Sequence, residues 1–317
     1  MTPTRTDLAW LFPGQGSQAV GMGKALAAWS KRARAVYDAA DEALGFELSA
    51  LCFEGPEELL IRTENAQPAI VTTSIALLEA LRECYAELPS PAYAAGHSLG
   101  EYSALVAAGA LGLADAVRVV RERGRAMQAA VPAGEGAMAA IMGATDEQIV
   151  ALCAEAAAGD VLAPANFNAP GQTVIAGSRA AVDRALELSK TQKLKAVPLK
   201  VSAPFHCSLM APAAASVAQS LAAISLRDPA FPVVANVDAQ PNAAKNRIAD
   251  LLVRQVDSPV RWHASLQTIA NAGVTRALEI GPGKVLAGLA KRIDKRVSVL
   301  SVNDQESVEK TAEFLAS

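Results

Sequence analysis

Gly96-His97-Ser98-Leu99-Gly100 reads G-x-S-x-G, a spacing that can present a serine as an exposed nucleophile. A short apolar run, Tyr93-Ala94-Ala95, precedes it, and Glu101 to Ala107 follows with helical character. Strand, sharp turn and helix in that order are what a nucleophile elbow needs. The chain reverses so tightly at the serine that only small residues fit beside it, and Gly96 and Gly100 supply the room. The turn pushes the hydroxyl out at the end of a sheet. It also puts the Leu99 N–H at a helix N-terminus, where it can stabilise an oxyanion. The five-residue pattern also arises by chance, so the rest of the chain has to supply the other half of the chemistry.

A serine nucleophile needs a base. The chain has three histidines, His97, His206 and His263. His97 is the neighbour of Ser98, and neighbours in an elbow point apart. His263 follows Trp262 near a helix start with no partner in view. His206 lies in Ser202-Ala203-Pro204-Phe205-His206, where the chain passes between two regions of different rhythm. Irregular backbone at such a junction often carries functional side chains. His206 is therefore either the base for Ser98 or a structural loop residue. Arg123 also has two readings. On the helix predicted from Asp115 to Val131, Arg118, Arg121 and Arg125 cluster on a polar face, while Arg123 falls among Ala116, Val119, Val120 and Met127. A charge there is either a snorkelling or paired structural arginine, or one that waits for a carboxylate ligand. The loop Pro13-Gly14-Gln15-Gly16-Ser17-Gln18 follows an apolar run. It lacks both the G-x-G-x-x-G spacing and a Walker lysine, so a nucleotide reading is poor and a tight turn is the plain alternative.

These residues need a scaffold. Leu8 to Phe12 reads as a buried strand, followed by a helix from about Lys24 to Gly45. Pro68 can open a second helix through Leu81. After the linker Pro132 to Gly136 the rhythm changes. Strands at 137–142, 161–166, 173–176 and 196–201 alternate with helices at 146–157 and 179–190. That βαββαβ order is the ferredoxin-like pattern. Apolar strands at 232–237, 277–280 and 297–302 then resume the first pattern, with helices near 210–223, 246–256, 264–272 and 285–293. The fold class expected is α/β: a core with a mostly parallel sheet covered on both faces, discontinuous over residues 1–131 and 202–317, with the ferredoxin-like subdomain at 132–201 inserted. The cleft between the two is the expected site.

Composition narrows the class. The 317 residues suffice for a sizeable core, and 51% are hydrophobic. Apolar stretches are too short to span a bilayer, and Met1 to Asp7 shows no secretory pattern. The four cysteines have no metal-ligand spacing, so reduced thiols and no metal are expected. A net charge of −3 argues against nucleic acid as a partner. The expectation is a cytoplasmic enzyme or binding protein.

The chain resembles the malonyl-CoA–acyl carrier protein transacylases of bacterial fatty acid synthesis nearly end to end. The residues that carry this are Phe12 to Gln18, Gly96 to Ser103, Arg123-Gly124, Asn166 to Gln172, Pro204 to His206, Gln255 with Pro259-Val260, and Glu279 to Gly283. The resemblance implies a hydrolase-like core with a ferredoxin-like insertion. It makes Ser98 the nucleophile, His206 its base, and the N–H groups of Gln15 and Leu99 the oxyanion hole. It assigns substrate binding to Arg123, Gln255, Phe205 and Gln172, with Arg123 on the malonyl carboxylate and the Gln255 carbonyl orienting His206. Phe205 before the histidine goes with malonyl rather than methylmalonyl. It implies a ping-pong acyltransferase using malonyl-CoA and acyl carrier protein, a monomer with no metal and no cofactor beyond the CoA thioester. Carrier docking would fall on Lys193, Lys195, Lys200, Lys291, Arg292, Lys295 or Arg296. Rival readings are a thioesterase or esterase, a transacylase of a polyketide pathway, and a non-catalytic acyl-CoA or carrier-binding protein.

Overall fold

A computed structural model describes residues 4–201 and 203–316. Met1 to Pro3 of the N-terminal reading, and Ser202 at the expected return to the core, lie outside the described residues. Among the described residues, ten strands form two sheets. In chain order they are β1 (Thr4–Phe12), β2 (Ser90–Gly96), β3 (Gly136–Met142), β4 (Leu162–Ala169), β5 (Gln172–Ser178), β6 (Lys195–Pro198), β7 (Val233–Val234), β8 (Pro241–Asn242), β9 (Arg276–Ile280) and β10 (Ser298–Val302).

The first sheet has the order β10-β9-β1-β2-β7-β8, parallel except for β8. Its centre is apolar on both faces: Leu8 to Phe12 are all buried, as helices on both sides of a parallel sheet require. Register decides where function can sit. Phe12 lies level with Gly96, so the loops after β1 and β2 leave the sheet side by side. The His97 N–H donates to the Phe12 carbonyl at 3.0 Å, and a Cβ on Gly14 would come within 2.5 Å of the His97 oxygen.

The second sheet, β4-β5-β3-β6, is antiparallel throughout. Helices Asp146–Ala157 and Arg179–Thr191 pack on it around a separate apolar cluster that includes Ile141, Ile149, Leu152, Ile175 and Val182. β4 is tied to the segment ahead of helix Trp262–Asn271, where the Val260 N–H donates to the Ala165 carbonyl and the Phe167 N–H donates to the Val260 carbonyl, both at 2.9 Å.

Four expectations on the elements need correction. The helix expected from Lys24 to Gly45 is two, Lys24–Trp29 and Lys31–Leu44. Ser30 between them is extended, and its hydroxyl accepts from the Ala33 N–H at 3.0 Å, a side-chain cap that starts the second helix. Pro68 does not open its helix. The helix runs Thr63–Cys84, and its first turn is gripped by Gly124, where a Cβ would approach the Glu64 Cα to 2.7 Å. That close packing holds a turn to which proline cannot donate. The strand expected at 232–237 is β7 alone, because Ala235 turns to donate to the Gln240 carbonyl and the chain folds back as β8. The strand expected at 196–201 is β6 and ends at Pro198. No helix among the described residues is long and apolar enough to cross a membrane.

Candidate active site

Ser98 sits between β2 and helix Gly100–Ala107 with φ 52°, left-handed backbone that a non-glycine residue rarely adopts. The surroundings leave no space for side chains beside it. A Cβ on Gly96 would meet the Gly100 carbonyl at 1.9 Å, and one on Gly100 would meet the Phe12 oxygen at 2.3 Å. Such strain costs about 1–3 kcal/mol and persists only where neighbours over-determine it. Buried Asn236 does so here. Its Oδ1 accepts from the Ser98 N–H at 2.7 Å and its Nδ2 donates to the Gly96 carbonyl at 2.7 Å.

The Ser98 hydroxyl lies 2.7 Å from His206 Nε2. His206 Nδ1 lies 2.9 Å from the Gln255 carbonyl oxygen, which can only accept. The Nδ1–H must therefore donate there, and Nε2 is left to accept from the serine. His206 also has a left-handed φ, 61°, in a buried loop after Ala203. Burial, and next the positive charge of Arg123, push its pKa down to about 3. The ring is therefore a neutral acceptor at physiological pH. In NMR it should show no protonation midpoint from about pH 5 to about pH 8; a midpoint near the ordinary histidine value would contradict this environment. Between about pH 3 and the ordinary value of 6.5 the unfolded chain binds the proton that the native ring refuses. His206 thus contributes stability that is present above 6.5 and lost as pH falls toward 3.

Arg123 is 1% exposed. Its Nη1 donates to Gln67 Oε1 at 2.6 Å, and its Nη2 donates to Gln255 Oε1 at 3.0 Å and to Ser98 Oγ at 3.1 Å. Tyr102 lies under the guanidinium, 5.8 Å from ring centre to Cζ. No carboxylate forms an ion pair with it among the described residues, and its Nε is buried without a partner there. Burial lowers its pKa. A desolvated cation held by neutral acceptors beside a nucleophilic hydroxyl is a ready receptor for an anionic substrate group.

The Leu99 and Gln15 N–H groups donate to no acceptor among the described residues, and the register of β1 and β2 brings their loops together. A side-chain relay joins the first loop to the arginine. Thr63 Oγ1 donates to Gln15 Oε1 at 2.9 Å, Gln67 Nε2 donates to Thr63 Oγ1 at 2.9 Å, and Gln67 holds Arg123. Phe205 is buried in the main core next to His206. Gln172 stands apart from this network: it opens β5, and its Oε1 accepts from Arg292. His97 pairs with Asn168 at 2.8 Å and lies beside Trp262, a structural placement.

Three residues of the site escape pattern reading: Gln67, Glu101 and Asn236. Gln67 and Asn236 carry no charge and fit unremarked into apolar elements. Glu101 leaves a signal, a carboxyl on a short helix that is buried almost all round. Its Oε2 accepts from Gln255 Nε2 at 2.7 Å and from the Asn236 N–H at 3.0 Å, and burial raises its pKa to about 7.

The acyl transferase domain family matches residues 9–309. A malonyl CoA-acyl carrier protein transacylase of Bacillus subtilis is 48% identical over 306 residues, covering 96% of each chain. The solved malonyl CoA-acyl carrier protein transacylase from Coxiella burnetii aligns with a TM-score of 0.95 at 42% identity, over 100% of this chain and 99% of that one. A malonyl-transacylase solved in complex with a type II polyketide acyl-carrier protein aligns with a TM-score of 0.94 at 45% identity, over 97% of this chain and 99% of that one.

Proposed function

We propose, from the premise that this chain belongs to the malonyl-CoA–acyl carrier protein transacylases of the acyl transferase domain family, that it moves malonyl from CoA to a carrier-protein thiol through Ser98. The chain is an acyltransferase. One observation carries the choice of acyl group: Arg123, buried and without a carboxylate ion-pair partner among the described residues, donates to Ser98 Oγ at 3.1 Å. An acyl group ending in a carboxylate supplies the missing partner while its thioester carbonyl lies at the serine.

In this reading His206 Nε2 takes the hydroxyl proton as Ser98 Oγ attacks the thioester carbon. The carbonyl oxygen becomes an oxyanion held by the Gln15 and Leu99 N–H groups, each such donor being worth about 3 kcal/mol. The C–S bond breaks, CoA leaves with the proton from His206, and malonyl remains esterified to Ser98. The carrier's phosphopantetheine thiol then gives its proton to His206 and attacks the ester, and Ser98 leaves with that proton. The substrate carboxylate offsets the charge of Arg123, so His206 is a stronger base with malonyl bound than without it.

The reading extends to the scaffold. The antiparallel sheet order and its own apolar cluster support a ferredoxin-like subdomain, 132–201, set into a hydrolase-like core of 1–131 and 202–317. We read the enzyme as a cytoplasmic monomer without metal or cofactor. Carrier docking falls on the exposed lysines Lys193, Lys195, Lys200, Lys291 and Lys295 rather than on Arg292 and Arg296, which are engaged by Gln172 and Asp294. The product feeds fatty acid chain elongation. The likeness to a transacylase bound to a polyketide carrier supports a second reading, in which the same chemistry loads that class of carrier.

Initial-rate kinetics test the scheme. Varying malonyl-CoA at several carrier concentrations should give parallel double-reciprocal lines. Intersecting lines would mean that both substrates bind before chemistry, and the covalent route would fall.

A further inference from the structure

We propose, resting on the reading above, that Glu101 is a positioning residue for acyl selectivity, because one of its carboxyl oxygens anchors the nitrogen end of the Gln255 amide whose oxygen end holds Arg123. A glutamine amide is nearly symmetric in shape, and only the groups at its two ends choose its orientation. Gln255 is fully buried. At its nitrogen end Nε2 donates to Glu101 Oε2 at 2.7 Å and to the Ser98 carbonyl at 3.0 Å. At its oxygen end Oε1 accepts from Arg123 Nη2 at 3.0 Å. With Glu101 removed, a single acceptor remains at the nitrogen end. The Ser98 carbonyl and the guanidinium still favour the same orientation, but the amide is held by one bond fewer, and Arg123 loses part of the grip that aims it at the serine.

The same carboxyl oxygen also accepts from the Asn236 N–H at 3.0 Å. Asn236 in turn holds the Ser98 N–H and the Gly96 carbonyl. One atom of Glu101 thus clasps the Gln255 side chain and the Asn236 main chain. Gln255 serves the arginine and, through its main chain, the histidine; Asn236 serves the strained elbow. Glu101 makes no hydrogen bond to Ser98 Oγ, His206 or Arg123 among the described residues; beyond a weak Coulombic attraction to the arginine, it acts through these two. Both bonds need an acceptor oxygen and not a charge, so an amide at position 101 can supply them.

The test compares Glu101→Ala and Glu101→Gln by the ratio of malonyl to acetyl transferred to Ser98, counted per titrated active site so that misfolded protein does not enter. Glu101→Ala should lower the ratio about 10-fold, the scale of loss that follows from loosening a bound group by a fraction of an ångström to an ångström. The Michaelis constant for malonyl-CoA should rise with it. Glu101→Gln should keep the ratio within about threefold of the wild type. In an Arg123→Ala background, Glu101→Ala should leave the ratio unmoved, because the group it positions is gone. An alanine variant with the wild-type ratio overturns the proposal. A glutamine variant that falls as far as alanine, or a further fall in the Arg123→Ala background, does so too. Failure of the parent reading shows separately, as a wild-type protein that takes up no malonyl.

Discussion

Arg123→Ala should lower the rate of malonyl transfer by on the order of 10⁴ and leave acetyl transfer equal to or above that of the wild type. The guanidinium is buried, donates to Gln67, Gln255 and Ser98 Oγ, and meets no carboxylate ion-pair partner among the described residues. An acetyl group leaves that site as it stands. A malonyl group completes it, and discrimination between the two substrates is the difference between a paired and an unpaired buried charge. The expected gain with acetyl has its own cause: the arginine's charge helps to hold His206 far below its ordinary pKa, and alanine removes that pressure on the base. Single-turnover rates with malonyl-CoA and acetyl-CoA, side by side, check both halves. Equal losses with the two substrates would show that Arg123 supports the fold or the elbow and does not read the carboxylate.

His206→Ala should lower acyl transfer from either thioester by about 10³ or more, with little change in the Michaelis constant for malonyl-CoA. The histidine touches Ser98 Oγ and the Gln255 carbonyl, and neither contact lies on the substrate's recognition end. In the proposed scheme its loss removes proton transfer, while the arginine and the oxyanion donors would still bind the thioester. Circular dichroism of the variant should match the wild type. A rate unchanged by the substitution would leave Ser98 without a base, because His97 is engaged by Asn168.

Ser98, His206 and Arg123 stand out in the sequence as candidates because each breaks the rule of its surroundings, although the residues alone leave His206 and Arg123 a structural reading as well and only the resemblance assigns their roles. Ser98 sits between glycines that a strand-to-helix turn needs, His206 is a polar group at a junction, and Arg123 is a charge on an apolar stripe. The first loop is less legible. Nothing in Pro13 to Gln18 alone separates a tight turn from an oxyanion loop, and only the level register of Phe12 with Gly96 puts it beside the serine. Gln67 and Asn236 are not legible, since a neutral amide in a buried element costs little once bonded and leaves no mark on periodicity. The same limit governs element ends. Pro68 looks like a helix start because a proline cannot donate inward, and it takes the close approach of Gly124 to Glu64 to hold a turn in front of it. The alternation of strands and helices conveys the two sheets well, whereas the reversal into β8 depends on a backbone bond from Ala235 to Gln240 that no residue pattern announces.

The covalent step is tested most directly by intact mass. The protein is mixed with malonyl-CoA, quenched in acid within seconds and weighed. One malonyl group should be added to the wild type, none to Ser98→Ala, and none from acetyl-CoA under the same conditions. Rapid release of CoA with no added mass on the wild type would contradict the account, because it would make water, and not a carrier thiol, the acceptor of the acyl group.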